Sequence, residues 1–253
     1  MILNGDFLFA FLCVFSRCSA MLLASPMFGT TVPVNIRVQV SMVLSFALTS
    51  VLQPKIGGIP PDVITLFLTV IREVLIGLLI GSCLQLVTSA AEAAGSFADM
   101  QLGLSSAAMF NPIMGTSATP LARYKYMLAV VLLFSFNAHH VMLSSFVQSY
   151  DLSGMTAESM KPVIESMLAL LGSSLMLAIK ISAPVAGVCV LVDLAAGFIN
   201  KAVPQTQPFL LALPAKLAIG LTVLAVGLPA LAAGIRGGVD VAFSHLSKAL
   251  GGG

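Results

Sequence analysis

Six long apolar stretches occupy most of this 253-residue chain. Only 9% of the residues are charged and 58% are hydrophobic, whereas a soluble domain carries about 25% charged residues. This small number of charges cannot cover a water-facing surface. Lipid or a protein partner must therefore surround most of the chain. The stretches are 7–28, 36–52, 63–91, 127–147, 163–199 and 209–235. The sequence therefore predicts an all-α integral-membrane protein.

The stretches do not have the lengths of six plain membrane crossings. A crossing helix needs about 20 residues; the first and fourth stretches fit this length, and the second is short. The third and fifth would be roughly 44 Å and 56 Å long as single helices, and a hydrocarbon core is only about 30 Å thick. Pro184 and Gly187 interrupt the fifth stretch, which favours a kinked or broken helix, or a hairpin, over one straight helix. The first stretch resembles a signal peptide, but Arg17 within it favours a retained helix.

Seven charged residues lie in otherwise apolar surroundings: Arg17, Arg72, Glu73, Asp99, Lys180, Asp193 and Lys216. Such residues would each cost about 2.5 to 3.5 kcal/mol at a lipid-facing helix centre. We therefore expect them to face protein or a water-filled cavity and to find partners there. Lys180 and Asp193 are too far apart to pair along one helix, but a break near Pro184 would let them meet. Ion pairs between helices or subunits, and a proton or ion pathway, are both open interpretations.

The longest connection, residues 92–125, is the most informative segment of the sequence. Connectors longer than about 12–15 residues are usually functional or disordered, and this one does not have the composition of a disordered tail. Its apolar residues are Leu104, Met109, Phe110, Ile113 and Met114, and its glycines include Gly103 and Gly115. Because lipid cannot satisfy an irregular backbone, we expect this segment to lie against protein or inside a cavity.

Five motifs, in order along the chain, resemble those of one family. They are Arg17, Pro26, Gly29, Pro33 and Arg37; Arg72, Glu73, Gly77 and Gly81; Asp99, Gln101, Gly103, Phe110, Asn111, Pro112 and Gly115; Asn137, Ala138, His139, His140 and Ser149; and Pro204, Gln205, Gln207, Leu213, Pro214 and Lys216. Almost end to end, the chain resembles the FliR family of flagellar biosynthetic proteins and its type III secretion relatives. The motif that starts at Asp99 is closer to the flagellar branch. Ala138 and Gln207 depart from the family pattern, which leaves the local turn geometry there open.

The resemblance implies a non-enzymatic subunit of an export gate, which passes unfolded flagellar proteins across the bacterial inner membrane at the flagellar basal body. Family members consist of helical hairpins and assemble with FliP and FliQ into a helical complex around a pore, together with FlhB. The implied unit is one export-gate domain over residues 1–253.

In the family, the central loop is a plug inside the pore, which implies the same role for residues 105–119 here. The implied plug residues are Leu104, Met109, Phe110, Asn111, Pro112, Ile113 and Met114, and the implied hinges are Gly103 and Gly115. Apolar side chains at a narrow point exclude water and block ion leakage. Methionine suits a seal that must yield, because its unbranched side chain repacks easily. Ordinary buried packing is the alternative interpretation of these residues.

The alternative function is a secondary transporter that uses Lys180 and Asp193, with Arg72 and Glu73, as coupling groups. Transporters of that kind usually contain two related halves, and the two halves of this chain share no broken-helix pattern. Lys and Arg are evenly divided between alternate connections, so they do not indicate the orientation in the membrane.

The remaining motifs are less specific. Adjacent His139 and His140 point about 100° apart on a helix, which favours interhelical hydrogen bonds over a metal clamp, and pH sensing stays open. A hydrolase that uses these histidines would need a nucleophile element such as G-x-S-x-G, and none occurs. The Gly77-x-x-x-Gly81 spacing permits close helix packing. We expect no metal, cofactor or nucleic acid, because the sequence has neither clustered ligands nor a block of basic charge.

Overall fold

The computed structural model describes residues 5–29, 32–105, 119–151, 160–203 and 208–249. Within these ranges the chain forms helices and no strands, which confirms the predicted all-α fold. The helices are α1 (Gly5–Ala24), α2 (Val34–Leu52), α3 (Val63–Leu102), α4 (Pro120–Ser135), α5 (Ala138–Gln148), α6 (Met160–Ala202), α7 (Pro208–Val226) and α8 (Leu228–Ala249). Short 3-10 helices lie at Pro26–Phe28 and Gln53–Lys55.

These helices have the length and composition of membrane crossings. In the part of the chain that the structure describes, four helices are individually long and apolar enough to cross. The number is six if each of two bent pairs, α4 with α5 and α7 with α8, counts as one crossing. The six candidate crossings follow the order of the six apolar stretches, so the predicted transmembrane character is confirmed.

The fifth apolar stretch forms one continuous helix. Helix α6 runs through Pro184 from Met160 to Ala202, so the predicted break or hairpin is wrong. Proline removes one helical hydrogen bond, here the bond that the carbonyl of Lys180 would accept. The many intact bonds on either side of Pro184 outweigh the loss of this single bond.

The fourth apolar stretch is interrupted, although the sequence predicted a simple crossing there. Helix α4 ends at Ser135 and α5 begins at Ala138. Between them, Asn137 adopts a left-handed backbone with φ 56° and ψ 29°. Asparagine is among the few residues other than glycine that visit this region readily. The apolar composition conceals the break, because apolar residues continue on both sides of it.

The predicted connector 92–125 is shorter in the structure. Its first part, up to Leu102, belongs to α3, and its last part, from Pro120, belongs to α4. The predicted bounds are therefore too wide. Gly95 lies within α3, and its missing side chain lets α3 pack closely against Ala122 of α4.

The chain divides into two compact units. The first contains the described residues of Met1–Leu86, Phe134–Leu171 and Val239–Gly253. In this unit, Gly77 and Gly81 of α3 lie directly against the backbone of α1. A Cβ atom on Gly77 would overlap the carbonyl of Arg17 and lie 2.9 Å from the Cβ of Ala20. The predicted close helix packing at this glycine pair is therefore confirmed.

Helix α2, which packs against α1 in the first unit, buries polar residues and exposes apolar ones. Its buried residues are Ser41, Ser45, Thr49 and Leu52. Each of the three hydroxyls donates to the carbonyl four residues earlier, at 2.6–2.7 Å, so none requires water. Large apolar side chains of α2 point outward: Val34, Ile36, Val38, Met42, Val43, Phe46 and Val51 are all exposed. This pattern fits lipid or protein surroundings and not water.

The second unit contains the described residues of Val87–Leu133 and Gly172–Gly238. Its core joins the end of α3, the start of α4 and the middle of α6 through the buried cluster Ala98, Leu102, Leu121, Val185 and Cys189. Partly buried side chains of α7 and the residue after Gly103 pack against this cluster: Leu104, Leu217, Val223 and Leu224. The core therefore lies at the two ends of the central connector.

Candidate functional site

A buried ion pair lies in the first unit between α1 and α3. Arg17 and Glu73 are 2% and 3% exposed, and the Nε of Arg17 donates to a Glu73 carboxylate oxygen at 2.6 Å. The Nη1 of Arg17 donates to the Oγ of Ser149 at 2.7 Å. The guanidinium also lies over the Tyr150 ring, 3.6 Å from its centroid. The charges of Arg17 and Glu73 thus face protein and have partners.

Tyr150 closes this cluster. Its hydroxyl donates to the same Glu73 oxygen at 3.2 Å. Burial raises the pKa of the Tyr150 phenol, so the hydroxyl stays protonated and can donate. Tyr150 is not among the residues that the sequence motifs single out. The usable signal was a tyrosine directly after an apolar stretch, because such a ring packs in apolar surroundings while its hydroxyl seeks a polar partner.

The neighbour of Glu73 in the sequence contributes less to this cluster. Arg72 places its Nη2 3.6 Å from the second carboxylate oxygen of Glu73, and its side chain is 39% exposed. The Nε of Arg72 is buried and has no hydrogen-bond partner among the described residues. Adjacent residues on a helix point in different directions, so the main partner of Glu73 comes from α1.

Asp99 occupies a second buried polar site, at the base of the central connector. This residue of α3 is fully buried. Its carboxylate accepts hydrogen bonds from the backbone N–H groups of Leu121, at 3.0 and 3.3 Å, and of Ala122, at 3.0 Å. N–H groups in the first turn of a helix have no partner within the helix itself, and Pro120 has no N–H group. Asp99 therefore caps α4 from another helix, with a negative charge at the positive end of the helix dipole.

The local capping residue of α4 is not used in this way. Thr119 precedes Pro120, an arrangement that is typical of an N-cap, but its Oγ1 is buried without a hydrogen-bond partner in the described ranges. Two further contacts join α3 to α4 beside Asp99. Gly95 lies against the backbone of Ala122, and the buried Lys125 donates from Nζ to the carbonyl of Ala94 at 3.3 Å. The two helices that flank the connector are thus fastened together at its base.

The first predicted hinge lies at this base. Gly103 has a φ of +76°, which L residues rarely adopt. Leu104, the first of the predicted plug residues, packs against the buried cluster of the second unit. Six other predicted plug residues and the second predicted hinge lie outside the described residues: Met109, Phe110, Asn111, Pro112, Ile113, Met114 and Gly115.

The predicted meeting of Lys180 and Asp193 does not occur. Both lie on the continuous helix α6, where their separation is roughly 20 Å. Asp193 instead pairs with Lys216 of α7 at 2.5 Å. Lys180 is exposed and has no ion pair among the described residues. The coupling pair that a transporter mechanism required is therefore absent from the described structure.

The two adjacent histidines follow the interruption at Asn137. Their rings contact each other edge to face at 4.3 Å, and the His139 ring lies 5.6 Å from that of Phe134. The Nδ1 of His139 is buried and makes no hydrogen bond within the described part of the chain. The hydrogen bond that the sequence led us to expect is thus not found at this atom.

Comparison with known proteins identifies the family. Residues 8–240 match the family described as bacterial export proteins, family 1. The chain belongs to this family. The matched residues include most of α1, all of α2 to α7 and part of α8, so both buried polar sites lie within them. The resemblance seen in the sequence motifs is confirmed.

Similar proteins come from several bacteria. The flagellar biosynthetic protein FliR of Caulobacter vibrioides is 32% identical over 87% of this chain and 88% of the relative. FliR of Bacillus subtilis strain 168 is 30% identical over 86% of this chain and 85% of the relative. The Yop proteins translocation protein T of Yersinia pestis is 27% identical over 65% of this chain and 64% of the relative.

Proposed function

We propose that the chain is a non-enzymatic subunit of the flagellar type III protein export gate in the bacterial inner membrane, at the flagellar basal body. Family membership, the candidate membrane crossings and the names of the relatives support this proposal. The flagellar branch is favoured because the FliR proteins of Caulobacter vibrioides and Bacillus subtilis are more similar, over more of the chain, than the Yersinia protein. Both compact units would belong to one export-gate domain over residues 1–253.

The surface of the chain supports assembly with other membrane subunits. In the apolar 18-residue segments of α2 and α3 that could cross a membrane, only 17% and 22% of the residues are buried within the chain. Large apolar side chains cover these helices from outside, including Phe46, Val63 and Phe67. Such a surface requires lipid or apolar protein neighbours. In our proposal the neighbours are FliP and FliQ, which complete a pore for unfolded flagellar proteins, and FlhB beside it.

The central connector is proposed to plug this pore. The observation that carries the proposal is the set of hydrogen bonds that Asp99 accepts from the first turn of α4, which holds the two ends of the connector at one place. The left-handed Gly103 and the packed Leu104 mark where the connector leaves this base. A segment with a fixed base and apolar composition is suited to closing a channel, because apolar side chains exclude water at a constriction.

Conductance of the assembled complex tests the plug. We expect replacement of both Phe110 and Met114 by Ala to raise resting ion conductance in a planar bilayer, because smaller side chains leave room for water. The matched control replaces Met42 and Phe46 of α2, which are exposed outside the connector. That control variant should conduct like the unmodified complex when both are compared per assembled particle.

Two results would contradict the proposal at different levels. Equal conductance of the connector variant and the unmodified complex would exclude the plug but leave the export-gate assignment intact. A purified chain that is stable alone, and that never co-purifies with FliP or FliQ, would exclude the subunit assignment itself.

A further inference from the structure

Helix α6 cannot cross a membrane without placing a charged residue in the hydrocarbon. Its candidate crossing extends from Glu165 to Ala202 and contains Lys180 and Asp193. The rise along the helix is roughly 22 Å from Glu165 to Lys180 and roughly 20 Å from Lys180 to Asp193. Neither segment spans a core of about 30 Å. Every crossing within Glu165–Ala202 therefore includes Lys180 or Asp193.

The two residues differ in how their charges are compensated. Asp193 pairs with Lys216, which is only 13% exposed. Lys180 lies exposed among apolar side chains and has no counter-charge within the described ranges. An ionised side chain in hydrocarbon is costly without a partner. No described residue supplies the negative charge that Lys180 requires, so in the proposed assembly we expect it from a neighbouring molecule.

Lys180 lines a recess in the second unit. The cavity has a volume of about 270 Å³ and lies between α6 and the junction of α7 and α8 at Gly227. Its walls are mainly apolar and include Leu177, Ile181 and Leu224. Lys125 is the second cation that lines it, but Lys125 is buried and bonded to α3. No acidic residue of the described chain lines the cavity.

We propose that this recess is an assembly contact, in which Lys180 receives the carboxylate of an Asp or Glu carried on an apolar helix of a neighbouring subunit. This inference rests on the proposed function, because it requires the chain to work in a hetero-oligomer. The apolar walls would pack around the incoming side chain while its carboxylate neutralises the ammonium group. A paired and desolvated contact of this kind sets which subunit binds and in which register.

A lipid phosphate is the competing source of negative charge. Protein sites for acidic lipid head groups consist of clustered basic residues near the membrane surface. Here the recess offers one accessible cation within apolar walls, which fits a single carboxylate better.

Charge reversal tests the contact through assembly. We expect Lys180→Glu to lower the amount of FliP and FliQ that co-purifies with the tagged chain by about tenfold or more, because two carboxylates then oppose each other. Lys180→Arg should assemble like the unmodified chain. Lys201→Glu is the matched control, since Lys201 is an exposed lysine at the end of the same helix. It should leave assembly unchanged.

A crosslink on the unmodified complex does not depend on the folding of a variant. The membrane-permeant reagent dicyclohexylcarbodiimide activates a carboxylate, and a neighbouring amine that has lost its proton then displaces the reagent as a urea. The carboxylate carbon and the Lys180 nitrogen become joined by an amide bond, and the water that is lost is taken up in the urea. We expect mass spectrometry to find Lys180 joined to an Asp or Glu of another subunit.

The outcomes separate the two proposals. If the unmodified complex assembles, Lys180→Glu assembles equally well and no crosslink from Lys180 to another subunit forms, this inference is overturned and the export-gate assignment stands. A phospholipid retained in native mass spectrometry only when Lys180 is present would also overturn it, in favour of lipid. If the unmodified chain binds no other subunit, the proposed function itself fails.

Discussion

Replacement of Asp99 by Ala should release the first turn of α4 from α3. The carboxylate is the acceptor for the N–H groups of Leu121 and Ala122, and both donors would lose it in a buried place. The loss of an N-cap usually costs about 1 and up to about 2 kcal/mol, and each buried donor left unpaired costs about 1–3 kcal/mol. The substitution also removes a negative charge that interacts with the buried Lys125.

The net effect is smaller than the sum of these contributions. The hydroxyl of Thr119 has no partner in the described structure and stands where a local cap would form, so it can recover part of the loss. We therefore expect the first turn of α4 to be destabilised by about 2–3 kcal/mol. Because 1.4 kcal/mol corresponds to a factor of ten, the open state of this turn should become roughly 30 to 150 times more populated.

Hydrogen exchange measures this population directly. In the assembled complex, the amides of Leu121 and Ala122 should exchange faster in the Asp99→Ala variant by the same factor, because exchange from a locally opened turn follows the population of the open state. Thr119→Ala is the matched control and should leave the exchange rates unchanged, since its hydroxyl makes no hydrogen bond. Unchanged exchange in Asp99→Ala, or equally fast exchange in Thr119→Ala, would refute the assignment of Asp99 as the cap.

Two further predictions concern the first unit. Glu73→Gln should lower the free energy of unfolding by about 3–5 kcal/mol, because it leaves the buried Arg17 without a counter-charge, whereas Arg17→Met combined with Glu73→Leu should recover most of this loss. Thermal unfolding of the detergent-solubilised complex measures both, and equal losses in the single and double variants would contradict the pairing. Gly77→Leu should abolish accumulation of folded chain in membranes, because the new side chain would overlap the α1 backbone. Gly172→Leu is the control and should accumulate normally, since Gly172 has open space around it. Immunoblotting of membrane fractions measures both levels.

The interruptions of the helices show the limit of local reasoning. Pro184 was the strongest local signal for a break, yet α6 continues through it. Asn137 lies in an apolar stretch that predicted one crossing, yet the helix is interrupted there by a left-handed backbone. A helix continues or stops according to all the bonds and packing contacts on both sides of a residue. The hydrogen bonds lie elsewhere in the same helix, and the packing contacts are made with other helices, so neither is encoded at the residue itself.

The candidate site shows the same limit for charged residues. The sequence predicted that Arg17 and Glu73 would need partners, but not that they would pair with each other or that Tyr150 would join them. The sequence likewise marked the connector as a distinct segment, but the role of Asp99 depends on the placement of α4. An ion pair or an interhelical cap depends on positions in space, and residues far apart in the sequence can meet only after the helices have packed.

The amino-acid sequence by itself determined that lipid or apolar protein surrounds this protein, that it is helical, and which family it belongs to. Apolar composition and motif order are properties of the chain before it folds. The tertiary structure alone decided which charged residues of the apolar stretches have an oppositely charged partner among the described residues. Asp193 is compensated because α7 brings Lys216 beside it, and Lys180 is not, because no described helix brings an acid to its recess. Electrostatic attraction falls with distance, so only the packed helices could separate these two cases.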